Sequence, residues 1–142
     1  MNSIEIRTIS RAAALRAIEA AEAKAREIGM NACVAIVDEA GDLKAFSRMD
    51  GAPKLSIQIA QDKGYTAVSF GIATHSWWDF IKDDAPLLHG ITHTPRLIVF
   101  GGGYPIKDNG KVVGGIGVSG GHYSQDMEVA RSALDAIGSP AD

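Results

Sequence analysis

At 142 residues the chain is sized for one domain, residues 1–142, with a core that needs no disulfide or metal staple. A net charge of -3, with 46% hydrophobic and 22% charged residues, is an ordinary globular balance and excludes the basic surface of a nucleic-acid binder. One cysteine, Cys33, excludes an internal disulfide and a cysteine zinc site, and no run approaches the about 20 apolar residues of a membrane span.

The opening segment, MNSIEIRTIS, lacks the basic and apolar regions of a secretory signal, which predicts a cytoplasmic protein. Ile4 and Ile6 alternate weakly with polar residues, so Met1–Thr8 is expected as a short edge strand. Ser10 then suits an N-cap. Ala14, Leu15, Ile18, Ala21, Ala25 and Ile28 recur at helical spacing, and Gly29 stands where a C′ glycine belongs.

Cys33–Asp38 and Leu43–Met49 predict two strands joined by Glu39-Ala40-Gly41-Asp42, a β-hairpin, with Cys33 buried as a small hydrophobe. Asp50-Gly51-Ala52-Pro53 stops the second strand and places Pro53 in the first turn of a helix running from Lys54 to Phe70. Asp62 and Lys63 in its middle read as a solvated face. Gly71 ends the helix, and Thr74 is expected to cap a short second one, His75–Lys82. Trp77 and Trp78 diverge by about 100° on that helix, so one of them is expected on a pocket wall or an interface. Asp83–Pro95 reads as an irregular loop.

The glycine-rich stretch from Arg96 to Asp126 predicts three strands: Arg96–Phe100, Tyr104–Asp108 and Lys111–Val118. Asn109-Gly110 supplies the positive φ pair of a type I′ turn between the last two. Gly114, Gly115 and Gly117 inside a strand mark a close approach by a ligand or by another backbone. His122 or Ser124 caps a final helix with Met127, Ala130, Leu134 and Ile137 on its apolar stripe, ended by Gly138-Ser139-Pro140. The order of elements predicts an α+β fold with an antiparallel sheet.

Gly115-Ile116-Gly117-Val118-Ser119-Gly120 spells GxGxxG, but one helix fills the 22 residues that follow Gly120. The second strand of a dinucleotide-binding unit has no room there. Ser119-Gly120-Gly121 before a helix offers backbone amides to a carboxylate or phosphate. His75 and His122 stand at helix starts. His89 and His93 are spaced as HxxxH, but Gly90 and Pro95 argue against a zinc-binding helix. His122, beside Tyr123 and Asp126, is the strongest candidate for proton transfer.

The runs VAIVDEAGDLKAFSRMDGAP, SIQIAQDKGYTAVSFG and IVFGGGYPIKDNGKVVGGIGVSGGHYSQD together resemble the GlcG/HbpS-like proteins, the haem-degrading or DUF336 family, similar to the C-terminal domain of PduO-type cobalamin adenosyltransferases. The resemblance covers about Ile9 to Ile137. It implies a profilin-like fold, a sheet of about five strands flanked by helices, a homo-oligomer, and association with haem, its slow degradation, redox sensing, corrinoid metabolism or small organic acids. Arg48, Met49, Asp50 and Gly51 match its RMDG turn, Asp62 and Lys63 its DK, Gly114 to Gly121 its glycine strand, and Gln125 and Asp126 its QD. Two departures stand out. The first helix carries no histidine, so an axial ligand expected there in some members is missing, and His122 replaces the small hydroxyl residue that many relatives have.

Three functions compete. In the first, haem is the cofactor: His75 or His122 ligates iron, Trp77, Trp78 and the strand glycines Gly115 and Gly117 contact the porphyrin, and Arg48, Asp50 and Lys63 complete the site. In the second, the protein acts on a small organic acid. His122 moves protons, Asp126 or Tyr123 orients it, and the amides of Ser119, Gly120 and Gly121 hold the anion. In the third, it is a non-catalytic oligomeric scaffold.

Overall fold

The computed structural model describes residues 1–141. The elements run α1 (Arg11–Glu27), β1 (Cys33–Asp38), β2 (Leu43–Arg48), α2 (Ser56–Phe70), a 3-10 turn (Thr74–Ser76), α3 (Trp77–Ile81), α4 (Ala85–Gly90), a second 3-10 turn (Ile91–His93), β3 (Gly103–Asp108), β4 (Lys111–Ser119) and α5 (Tyr123–Ala136). The four strands form one antiparallel sheet in the order β2-β1-β4-β3. The α+β fold and both hairpins agree with the sequence. Asn109 and Gly110 take φ of 51° and 77° in the tight turn between β3 and β4.

Side-chain alternation sorts the sheet into two faces. Val34 and Ile36 of β1 and Ile116 and Val118 of β4 join Ala14, Ala17, Ile18 and Ala21 of α1 and Val129, Ala130, Ala133 and Leu134 of α5 in the main core. The opposite face carries Cys33, Ala35, Gly115 and Gly117, and α2 lies across it. The strand glycines serve that packing. A Cβ at Gly117 would stand 1.8 Å from the Ala60 carbonyl oxygen, and one at Gly115 would stand 2.6 Å from that of Gly64. The close approach foreseen at these glycines is therefore made by a helix backbone. Gly115 and Gly117 lie beneath α2 and are not available to a flat ligand.

Helix boundaries follow local chemistry. The Ser10 hydroxyl accepts from the Ala13 amide at the start of α1, and Gly71 at φ 68° closes α2. Helix α2 begins at Ser56, two residues later than expected, with Pro53 ahead of it and its carbonyl accepting from the Ser56 hydroxyl. Asp84 caps α4 through the Leu87 amide, with Pro86 in the first turn. The stretch expected to be irregular is thus largely two short helical turns.

Two expected strands are absent. Met1–Thr8 joins no ladder, and Ile9 alone donates a backbone hydrogen bond, to Val113. Arg96–Phe100 is held by a side chain instead of a strand. The Thr66 hydroxyl donates to the Arg96 carbonyl at 2.9 Å and accepts from the Ile98 amide at 3.0 Å, and Arg96 itself turns to φ 65°. With those two gone the sheet has four strands, close to the about five implied by the resemblance. No helix among the described residues is long and apolar enough to cross a membrane.

Candidate functional site

His75 is set in place by its neighbours. Thr74 is fully buried and its hydroxyl accepts from the Gly103 amide at 3.0 Å, tying the 3-10 turn to the start of β3. Trp77, three residues on and 2% exposed, anchors the other end edge-on against Phe70 and Phe80, at centroid distances of 5.0 and 5.8 Å. Between these anchors His75 projects outward, with its ring 5.5 Å from that of Tyr104. Burial and the charge of Arg131 both lower its pKa below 6.5, burial being the larger cause. The imidazole is therefore neutral at neutral pH and able to ligate a metal.

An open groove of about 400 Å³ lies against His75, walled by Trp78, Val99, Phe100, Gly101 and Tyr123. Its lining is predominantly apolar. Gly101 lies close under Met127 and His75: a Cβ there would stand 2.4 Å from Met127 Sδ and 3.3 Å from His75 Cβ, so a side chain would have to displace Met127. Of the two tryptophans, Trp78 (54% exposed) lines the groove. Trp77 does not, and its contacts are those of a structural aromatic cluster.

Directly behind Phe100 lies the charged centre of the molecule. Lys63, expected on a solvated face, is fully buried. Its Nζ donates to Asp126 Oδ2 at 2.9 Å and to the Val118 carbonyl at 2.8 Å, and it lies 5.1 Å from the centre of the Phe100 ring. Asp126 is equally enclosed and takes the Gly121 amide on Oδ1 at 3.1 Å. Burial lowers the Lys63 pKa and raises that of Asp126, while their mutual attraction opposes both shifts. Neither group reaches the groove surface. The pair fixes the start of α5, and with it Tyr123, against α2 and β4.

That geometry also fills the expected anion site. The Gly121 amide is taken by Asp126, and the His122 amide donates to Gln125 Oε1 at 3.1 Å. His122 is the N-cap of α5. Its Nδ1 accepts from the Ser124 amide at 3.2 Å and lies 2.8 Å from the Ser124 hydroxyl, while its ring stacks on Tyr123 at 4.1 Å. A nitrogen that accepts from an amide carries no proton, so the neutral ring holds its proton on Nε2. Asp126, committed to Lys63 and Gly121, does not orient this imidazole.

The remaining expected site residues lie elsewhere. Arg48 donates to the Ala52 carbonyl at 3.2 Å and closes the Arg48–Gly51 turn. Together with Asp50 it borders a separate depression against Glu22 and Arg26. Gly120 and Gly121 edge another hollow beside Asn31 and Gln125. Ser119 is the last residue of β4, paired with Cys33. Among the described residues no group of three or more His, Cys, Asp or Glu side chains is placed to hold a bare metal ion.

Residues 9–135 match the family described as haem degrading protein HbpS-like. The chain belongs to that family. It is 42% identical over 137 residues to an uncharacterized 15.0 kDa protein from the dhaT-dhaS intergenic region of Citrobacter freundii, covering 95% of this chain and 96% of that one. It is 36% identical over 119 residues to the corrinoid adenosyltransferase PduO of Salmonella typhimurium, covering 83% of this chain and 35% of PduO. It therefore spans about a third of that enzyme. Among solved structures, a PduOC:haem complex superposes with a TM-score of 0.86 at 33% identity, covering 94% of this chain and 99% of that one.

In this HbpS-like chain, Val99, Phe100 and Tyr104 border the candidate site without having been singled out from the sequence. Phe100 carries a usable signal, an aromatic residue directly before three glycines, but its place at the end of the expected strand Arg96–Phe100 masks it. Tyr104 carried none beyond its proximity to the hairpin.

Proposed function

We propose that this HbpS-like protein binds haem in the aromatic groove, with His75 as the iron ligand. The observation that carries this reading is a neutral imidazole, fixed between two buried anchors, at the edge of an apolar groove walled by Trp78, Phe100 and Tyr123. Iron delivered inside a tetrapyrrole needs only one ligand from the protein, so the lack of a multidentate cluster among the described residues is no obstacle. Flat aromatic walls suit the face of a porphyrin. A relative in complex with haem, at 33% identity, supports haem as the ligand. Haem supplies the redox and dioxygen chemistry when bound; the protein's residues hold the ring, exclude water from one face and set the ligand field. Slow haem degradation is the activity we attach to this site, in keeping with the family's description.

His122 is the less suitable ligand. Ligation through Nε2 requires the proton on Nδ1, which would turn Nδ1 from an acceptor of the Ser124 amide into a donor and cost the helix cap. A saturable Soret shift on titration with haem, lost in His75→Ala and retained in His122→Ala, tests the assignment. Loss in His122→Ala alone would reverse it. We further propose a homo-oligomer in the cytoplasm. Phe70 and Phe80, 66% and 64% exposed, give the α2–α3 corner an apolar surface suited to a second copy. Light scattering of the purified protein measures the subunit number directly.

A further inference from the structure

The groove has a polar neighbour that shares His75. A second cleft of about 230 Å³ opens on the other side of that residue, lined by Ser76, Tyr104, Lys107 and Ser139 among others. Helix α5 walls the groove through Tyr123 and meets the cleft through the hydrogen bond from Arg131 to Tyr104. Tyr123, Met127 and Arg131 recur every four residues along it and share one face. Tyr123 lines the apolar groove, and Met127 packs at Gly101 under His75. Arg131 lies one turn beyond, exposed, with Nη1 donating to the Tyr104 hydroxyl at 3.2 Å.

Arg131 has an unusual position for a surface cation. It makes no ion pair among the described residues, whereas on the same helix Glu128 is engaged by Lys24 and Asp126 by Lys63. The Tyr104 hydroxyl that receives its hydrogen bond keeps its own proton to donate, and Tyr104 is otherwise buried. The influence of Arg131 is felt at the His75 ring, on which its charge acts. An arginine guanidinium has five N–H donors in a planar fork, and here only one is used within the described residues.

We propose that Arg131 and the Tyr104 hydroxyl form a carboxylate clamp, so that the site takes a flat apolar ligand carrying an acid on the edge that faces α5. For a tetrapyrrole, this turns the propionate side toward Arg131 and the opposite, methyl- and vinyl-bearing edge toward Trp78 and Phe100. The inference rests on the haem reading and deepens it, by fixing which edge of the ring enters which end. Arg131 touches ligand but not iron, and it acts in binding and orientation.

The test compares haem with haem dimethyl ester, whose propionates are capped, by visible titration of wild type, Arg131→Gln and Tyr104→Phe. Arg131 is exposed, so Arg131→Gln is expected to fold, and its thermal midpoint checks this. Wild type is expected to bind the diacid about tenfold more tightly than the diester, the discrimination of one charge-assisted hydrogen-bonded contact. In Arg131→Gln that ratio falls to near unity while diester affinity and the Soret position of the bound haem stay at wild-type values. Tyr104→Phe reduces the ratio partway. Equal affinity of wild type for the two ligands, or a preference that survives in Arg131→Gln, overturns the clamp and leaves haem binding standing. Failure of wild type to bind either ligand overturns both.

Discussion

Replacing Lys63 by methionine removes the ammonium and keeps most of the stem volume. Asp126, 3% exposed, then retains the Gly121 amide as its one hydrogen-bond donor among the described residues. Breaking one side of a buried pair in this way costs about 3–5 kcal/mol, because a buried charge is left uncompensated. Asp126→Asn is expected to cost a similar amount through the stranded ammonium. In the double variant no charge remains: Asn still offers an oxygen to the Gly121 amide, and only the Val118 carbonyl loses a donor. Its cost should be about 1–3 kcal/mol, the range for an unmet buried polar group. The coupling between the sites is then several kcal/mol, far beyond the few tenths expected of independent positions. Urea unfolding of the four proteins measures it. The pH dependence has a definite sign. Asp126 has a folded pKa above 3.8, so it withdraws stability as pH rises through that folded value, whereas Lys63, below 10.5 when folded, withdraws stability as pH falls. In Lys63→Met only the first remains and it grows, so the variant's deficit against wild type should shrink on mild acidification. Additive costs in the double variant, or single costs under about 1 kcal/mol, would refute the reasoning.

Three further outcomes follow from the same geometry. Gly117→Ala drives a methyl into the Ala60 carbonyl and should lower stability by about 3 kcal/mol or more, at or beyond the top of the usual overpacking range, measurable as a shift in the denaturant midpoint. His122→Ala removes the α5 cap and should cost about 1 kcal/mol in the same assay, leaving haem affinity unchanged. Because His75 has its pKa held below 6.5, haem affinity should be flat around neutrality and decline only as pH falls through that lowered value; a decline that begins above 6.5 would point to another ligand.

Much of this fold was legible in the sequence because its signals are local. Ser10, Gly29, Asn109-Gly110 and Gly138 mark helix and hairpin ends through backbone chemistry that acts within a few residues. The failures came where distant residues decide. Arg96–Phe100 has strand composition, yet Thr66, thirty residues away, supplies its hydrogen bonds. Lys63 sits at a helical position that suits solvent, and only Asp126 and the carbonyl of Val118 explain its burial. Gly115 and Gly117 announced a close approach without saying whose. For the site, Trp78 and His75 were visible as residue types, and Tyr123 was named for a different role. What gathers them is the docking of α5 against the segment at Gly101, which no spacing in the chain encodes. A histidine at a helix start draws attention as a group poised for chemistry, and in the structure His122 serves as the cap of α5.

The claim that His75 holds the iron is tested most directly by chemical rescue. His75→Gly opens the ligand position without filling it, and free imidazole can then enter beside the porphyrin. The account predicts that the variant loses the wild-type Soret band on mixing with haem and recovers it when imidazole is added. A wild-type spectrum in the variant without imidazole would contradict it.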